Sequence, residues 1–120
     1  VAQLLHEFHH HRLGATIEDA IYADAEVAFF DDVVMGVDAR LGEIDARIGA
    51  NLGEGWTIER LDRALRQILR AGSYELLARP DIPTGSVISE YLDVAHAFFD
   101  RKEKKFVNGV LDAVAKAVRN

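Results

Sequence analysis

The spacing of apolar residues constrains this chain most. From Val27 to Ile48, apolar side chains recur at alternating steps of three and four residues, which places them along one face of a helix. Segments with the same period occur at residues 1–8, 58–78, 86–98 and 104–118, whereas no useful stretch alternates as a strand does. The 120 residues therefore predict a single all-α domain, a bundle of five helices joined by short loops.

Capping residues and prolines indicate where these helices should begin and end. The first helix should end near Gly14, and residues 14–23 should form a loop. Pro80 and Pro83 should end the helix of residues 58–78, because proline lacks an amide donor. The candidate N-caps of the next three helices are Asp24, Thr57 and Ser86.

Residues 6–10 match the H-E-x-x-H pattern of zinc proteases. That chemistry needs two His on one helix face, a Glu base and a further ligand. Leu13 and Thr16 stand where the extended pattern needs Gly and His, and outside residues 6–11 the chain holds only His96. We therefore interpret the run as a solvated face and predict no metal site. With neither a Gly-rich phosphate loop nor a Cys, the chain is expected not to be an enzyme and to need no cofactor.

Charge is distributed unevenly along the chain. Residues 1–57 hold 11 acidic and 3 basic residues, whereas residues 58–120 hold 9 acidic and 11 basic ones. We therefore divide the domain into an acidic N-terminal half, residues 1–55, and a C-terminal half, residues 56–120, that could bind a polyanion. The carboxylates of the second helix are interpreted as a solvated face rather than a metal or acid–base site: Asp31, Asp32, Asp38, Glu43 and Asp45.

The third helix carries a candidate phosphate-binding stripe. Four arginines fall opposite its apolar side: Arg60, Arg63, Arg66 and Arg70. Guanidinium groups on one face can grip phosphates, although an ordinary exposed helix surface would show the same pattern. Trp56, just before Thr57, is interpreted as a core residue or a hydrophobic staple. His96, beside the apolar stripe of the fourth helix, is interpreted as structural.

The last helix, predicted from Lys104 to Val118, has an unusual beginning. The preceding residues 101–105 form a loop with four cations and one acid. Gly109 disfavours a helix and, having no Cβ, would let a ligand or another backbone come close. A cationic loop that leads to Phe106 and Asn108 could bind a polyanion; the alternative is a solvated loop beside a core Phe.

Two segments together resemble the NusB family of bacterial transcription antitermination factors. They are residues 69–99, with Leu-Arg…Tyr-Glu-Leu (69–76) and the turn at Pro83, and residues 105–119, with Phe-Val-Asn-Gly-Val-Leu-Asp (106–112). Residues 11–37 fit more loosely, so the resemblance covers most of the chain. It implies a fold of two small helical subdomains packed across one another.

The resemblance also implies a function and its partners. The family binds boxA, a short single-stranded element of leader RNA, together with a small-subunit ribosomal protein. The pair joins a complex that keeps RNA polymerase from terminating, notably on ribosomal RNA operons. The resemblance implies RNA contacts at Lys105, Phe106 and Asn108. From their charge, we also expect contacts from Lys102, Lys104, Arg63 and Arg66. The half that holds Tyr74, Glu75 and Glu90 would receive the ribosomal protein.

This sequence departs from the family pattern in two ways. The family opens with an Arg-rich segment and an Ala-Leu-Tyr-type motif, and neither is present; Val1 already lies inside an apolar pattern without a cap or Met, so we expect further sequence upstream. Residues 101–105 are also more basic than the usual family loop.

Two other functions remain open at this point. The domain could be the RNA-binding part of an RNA cytosine methyltransferase. It could also be a helical protein-interaction module without RNA affinity, including a homodimer. The lack of Cys, of a membrane span and of a secretory signal fits a cytoplasmic protein.

Overall fold

The computed structural model describes residues 17–119, with side chains from residue 28 onward. This part of the chain forms five α-helices and one 3-10 turn: α1 (Ile17–Ala39), α2 (Leu41–Gly49), the 3-10 turn (Ile58–Arg60), α3 (Arg63–Ala78), α4 (Thr84–Phe98) and α5 (Arg101–Val118). The described residues include no strand, which confirms the all-α prediction. The helix predicted near the N-terminus and the H-E-x-x-H run lie outside the described residues.

The N-terminal half differs from the prediction in two places. The chain is already helical at Ile17, so the loop expected up to residue 23 is wrong and Asp24 lies inside α1. Residues 17–23 contain neither Gly nor Pro, so nothing in them stops a helix. The single helix expected over residues 27–48 is broken at Arg40, where φ is −118°. Two backbone bonds, Arg40 to Gly36 and Ile44 to Arg40, span the break and make it a bend.

The capping predictions for α3 and α4 are wrong. α3 begins at Arg63, and Asp62 caps it by accepting from the amides of Ala64 at 2.9 Å and Leu65 at 3.2 Å. Thr57 only precedes the 3-10 turn, and its side chain makes no capping bond. Ser86 lies inside α4, which follows Pro83.

α5 begins at Arg101, three residues earlier than predicted. The basic residues 101–105 therefore form its first turns rather than a loop. Four cations at the start of a helix oppose the positive end of its dipole, which is why sequence rules place the start too late.

α3 lies at the centre of the bundle, in contact with α1, α2, α4 and α5. Gly72 makes the close packing possible: a Cβ there would lie 3.0 Å from both δ-carbons of Leu111 and 3.4 Å from the Tyr91 ring. The fully buried side chains of this core include Ile44, Ile48, Ile68, Leu69, Leu76, Tyr91, Val107 and Leu111. The core contains residues of both the acidic N-terminal half and the C-terminal half. The division of the domain at residue 55 stays a prediction.

Two acidic side chains of α1 and α2 point to α3 instead of solvent. Asp45 accepts two hydrogen bonds from Arg70, both 2.9 Å long. Asp32 accepts from the Tyr74 hydroxyl at 2.8 Å and from Arg79 at 3.1 Å. The interpretation of the acidic residues as a solvated face is therefore wrong for these two, since they bind basic and polar side chains across the bundle.

Candidate nucleic-acid interface

The N-terminal half of α5 separates two open grooves. The α4–α5 groove, of about 620 Å³, is lined by Leu92, His96, Phe99, Asp100, Arg101, Lys104, Lys105 and Asn108. The Trp56 groove, of about 570 Å³, is lined by Trp56, Arg60, Leu61, Asp62, Leu65, Phe99, Lys102, Glu103 and Phe106. Because α5 turns by about 100° per residue, the α5 side chains expected to contact RNA are divided between the two grooves, whereas Arg63 and Arg66 lie on α3 and line neither groove.

The α4–α5 groove is lined by the cations Arg101, Lys104 and Lys105 and by the exposed His96. The Lys104 ammonium lies 3.5 Å from Nδ1 of His96. Lys105 and Asn108 are exposed. The structural role predicted for His96 is wrong, because its ring is exposed at the edge of the groove rather than in the core.

The Trp56 groove presents aromatic surface to solvent. Trp56 is 54% exposed, so its assignment to the core or to a staple is wrong. The Arg60 guanidinium lies 5.4 Å from the centre of the indole ring and donates to the Gly55 carbonyl at 2.6 Å. Gly55 has a φ of +82°, a conformation that glycine adopts without strain. The turn thus holds a cation–π pair at the surface.

Phe106 lies on the boundary between core and groove. Its ring is half-buried against the hydrophobic core and also lines the Trp56 groove. Lys102 lines the same groove one turn earlier in α5. Gly109 is exposed. Apart from its chain neighbours and the backbone of its own helix, no described atom lies within 4 Å of where its Cβ would be, so no other described segment approaches it closely.

The four predicted arginines do not form one stripe. Arg60 precedes α3 and binds the Trp56 turn, whereas Arg70 is paired with Asp45. Arg63 is exposed at the first position of α3. Arg66 is half-buried and donates to the Leu61 carbonyl at 3.5 Å. Of these four arginines, Arg63 and Arg66 thus remain as candidate phosphate contacts.

The residues expected to meet a protein partner lie mostly below the surface. Tyr74 and Glu75 are 6% and 3% exposed. Glu90 is half-exposed on α4. Burial raises the pKa of Glu75 to about 7; a hydrogen bond from the Tyr91 hydroxyl opposes this shift and the nearby Glu90 adds to it. A partner that docks on α4 here would therefore meet Glu90, with the buried Glu75 nearby, whereas Tyr74 packs against α1 and binds Asp32.

Sequence reasoning missed Trp56, Arg60 and Glu103 as members of one groove. The sequence gives only a weak signal for this groove. Trp56 precedes Thr57, as a hydrophobic staple does, and Glu103 is one acid in a basic run; neither pattern indicates a groove. Among the described residues, no three His, Asp or Glu side chains cluster closely enough to hold a metal ion. None of the described helices combines the length and apolar content needed to cross a bilayer.

Comparison with known proteins agrees with this architecture. The profile of the NusB family matches residues 2–116. The transcription antitermination protein NusB of Sphingopyxis alaskensis is 66% identical over 119 residues, which cover 99% of this chain and 80% of the relative. NusB of Novosphingobium aromaticivorans is 67% identical over 97% of this chain and 78% of its own length. A solved structure of NusB from T. maritima superposes with a TM-score of 0.75 at 30% identity, covering 96% of this chain and 84% of that one.

The all-α fold and these relatives define the class: the chain is a transcription antitermination factor. It belongs to the NusB family. The fold expected from the resemblance is confirmed by the likeness to the T. maritima structure.

Proposed function

We propose that the chain binds boxA-type single-stranded leader RNA through the start of α5, together with a small-subunit ribosomal protein, and thereby promotes transcription of ribosomal RNA operons. The observation that carries the proposal is the placement of four cations in the first two turns of α5, between two open grooves. Their charge opposes the helix dipole. A polyanion bound there would offset this unfavourable charge.

The contacts divide by type. Lys102, Lys104 and Lys105 hold phosphates, and the exposed amide of Asn108 reaches a base or ribose. Phe106 offers an aromatic face, since single-stranded bases stack on aromatic rings while cations hold the backbone. Arg63 and Arg66 extend the positive surface along the start of α3. The protein partner docks over Glu90, with the buried Glu75 nearby and with Tyr74 on the side of α3 that faces α1.

The test is a titration of fluorescently labelled boxA-type RNA, with and without the ribosomal protein. Phe106→Ala should weaken binding by about 1–3 kcal/mol, the usual worth of one stacked base. Lys105→Ala should weaken binding less. Because Phe106 is only half-buried, its loss should lower the free energy of unfolding by less than the roughly 3–5 kcal/mol of a fully buried Phe.

The matched control is Lys116→Ala, which removes a cation from the far end of the same helix, where Lys116 is exposed and pairs with Asp112 at 3.0 Å. RNA affinity should stay at the parent value. A Phe106→Ala protein that binds as the parent does would contradict the stacking role. One that melts many degrees lower would show instead that Phe106 acts as a core residue.

A further inference from the structure

A carboxylate oxygen beside the Trp56 groove has no hydrogen-bond partner in the described part of the chain. Glu103 lines the groove, and its Oε2 atom is covered yet has no hydrogen-bond partner among the described residues. A covered acceptor that lacks a donor costs free energy, which a donor entering the groove would recover. The terminal torsion of a Glu side chain is soft, so rotation about it can bring a carboxylate oxygen to the groove that Glu103 lines.

The helix dipole does not account for this placement. An acid in the first turn of a helix is favourable at the dipole's positive end, and Glu103 occupies such a position in α5. An exposed carboxylate would serve that purpose equally well. The covered oxygen beside the groove therefore calls for a different explanation.

The remaining lining of the groove fits a nucleotide. The indole of Trp56 is largely exposed, and the bond from Arg60 to Gly55 fixes the cation–π pair in place. Phe106 contributes a second aromatic surface, and Lys102 a second cation. The volume, about 570 Å³, falls within the roughly 300–1,000 Å³ of ordinary small-ligand sites.

We propose that the Trp56 groove binds one base of the RNA strand, stacked on the Trp56 indole, and that Glu103 accepts a hydrogen bond from an amino group of that base. The proposal rests on the RNA binding proposed above and adds a selectivity to it. Cytosine, adenine and guanine carry an amino group, whereas uracil presents an oxygen where cytosine has its amino group. A carboxylate accepts from the first kind of base and repels the oxygen of the second.

Cytidine and uridine oligonucleotides of equal length test this selectivity, because they share size and charge and differ at the base edge. Fluorescence anisotropy at fixed salt gives both affinities for the parent chain. The cytidine strand should bind about tenfold more tightly, the effect of one hydrogen bond to a charged group. Glu103→Gln should bring the ratio close to one, since an amide can accept from cytosine or donate to uracil.

Trp56→Ala tests the stacking platform. It should weaken both strands by a common factor of about ten or more, whereas Trp56→Phe should retain most of the affinity. Met35→Ala is the matched control: Met35 is 71% exposed on α1 and lines neither groove, so its loss should change nothing. Circular dichroism melting of each variant checks that it is folded.

The possible results separate the two proposals. A cytidine-to-uridine ratio that Glu103→Gln leaves unchanged overturns the role of Glu103, and unchanged affinity in a folded Trp56→Ala overturns the base site; either result leaves RNA binding through Phe106 and Lys105 intact. Failure of the parent chain to bind any RNA, the boxA-type strand included, overturns the proposed function and the base site together.

Discussion

At the scale of single residues, burial changes the chemistry of Glu75. Its carboxyl is nearly inaccessible, and burial raises the pKa to about 7 despite the hydrogen bond from Tyr91. The same burial raises the pKa of Tyr91, and the neighbouring Glu75 carboxylate adds to the effect. Glu75 therefore holds a proton in the folded protein at pH values where an exposed Glu has lost it.

This shift predicts a pH-dependent stability. Between about 4.5 and about 7, the folded state keeps the Glu75 proton and the unfolded state does not. The contribution of Glu75 to the free energy of unfolding is thus full at the acid end and falls as pH rises through this window, by roughly 3 kcal/mol in all. Urea denaturation at a series of pH values measures the effect.

The comparison with Glu75→Gln isolates this group from the other titrating residues. The amide stays neutral, so the variant should gain stability relative to the parent as pH rises toward 7, and the difference should then level off. Parallel curves for the two proteins at every pH would show that Glu75 is not the titrating group.

The positions of such residues could be predicted only in part. The helical period of residues 58–78 predicts one buried face, and Leu65, Ile68 and Leu76 of that segment are indeed in the core, because that pattern is local. The role of Tyr74 and Glu75 in binding a protein partner stays a prediction, whereas their burial is not predicted by the sequence. The Tyr74 hydroxyl binds Asp32, 42 residues away, and no local pattern reveals a contact at that distance along the chain.

At the scale of helices, the start of α3 gives a matched pair of substitutions. Asp62 accepts from two amides at the beginning of α3, whereas the side chain of Thr57 makes no capping bond. Asp62→Ala should lower the free energy of unfolding by about 1 kcal/mol, and Thr57→Ala should have almost no effect. Equal losses in the two variants, measured by thermal unfolding, would contradict the assignment of the cap.

Helix existence was therefore easier to predict than helix ends. Thr57 and Asp62 are both acceptable caps by residue type, and the choice depends on where the backbone leaves its extended form. The start of α5 is hard to predict for another reason. Cations are unfavourable at the N-terminus of a helix, and α5 begins with four of them at the surface proposed to bind RNA. The sequence predicts Phe106 and the lysines as members of this candidate site. Only the structure shows that the turn at Gly55 brings Trp56 and Arg60 to the same groove as Phe106.

At the scale of the whole molecule, a few polar contacts join segments far apart in sequence around α3. Arg70 and Asp45 link α3 to α2, and Arg79 and Asp32 link it to α1. Arg119 joins the end of α5 to the turn between α3 and α4. Its guanidinium donates to the carbonyls of Glu75, Leu76, Arg79 and Ile82 and to the Thr84 hydroxyl, at 2.6–3.2 Å.

A residue just after the last helix usually contributes little to the free energy of unfolding, but these hydrogen bonds predict a large contribution from Arg119. Its acceptors include the Glu75 and Leu76 carbonyls in the last turn of α3, of which Glu75 also accepts from the Arg79 amide. A cation at this end of α3 also favours the helix dipole. Arg119→Ala should lower the free energy of unfolding by roughly 3 kcal/mol, since hydrogen bonds to a charged group are the strong ones. The midpoint of guanidinium denaturation should fall accordingly, with an unchanged slope.

Two further variants distinguish a network of directed bonds from mere charge. Arg119→Lys keeps the charge but loses the planar fork that reaches several carbonyls at once, so it should recover only a minor part of the loss. Lys116→Ala, three residues earlier, removes an exposed pair with Asp112 and should cost no more than about 0.5 kcal/mol. If Arg119→Lys restored the parent stability, charge at the end of α3 would suffice. If Arg119→Ala matched Lys116→Ala, the end of α5 would contribute nothing to holding α3 and α4 together.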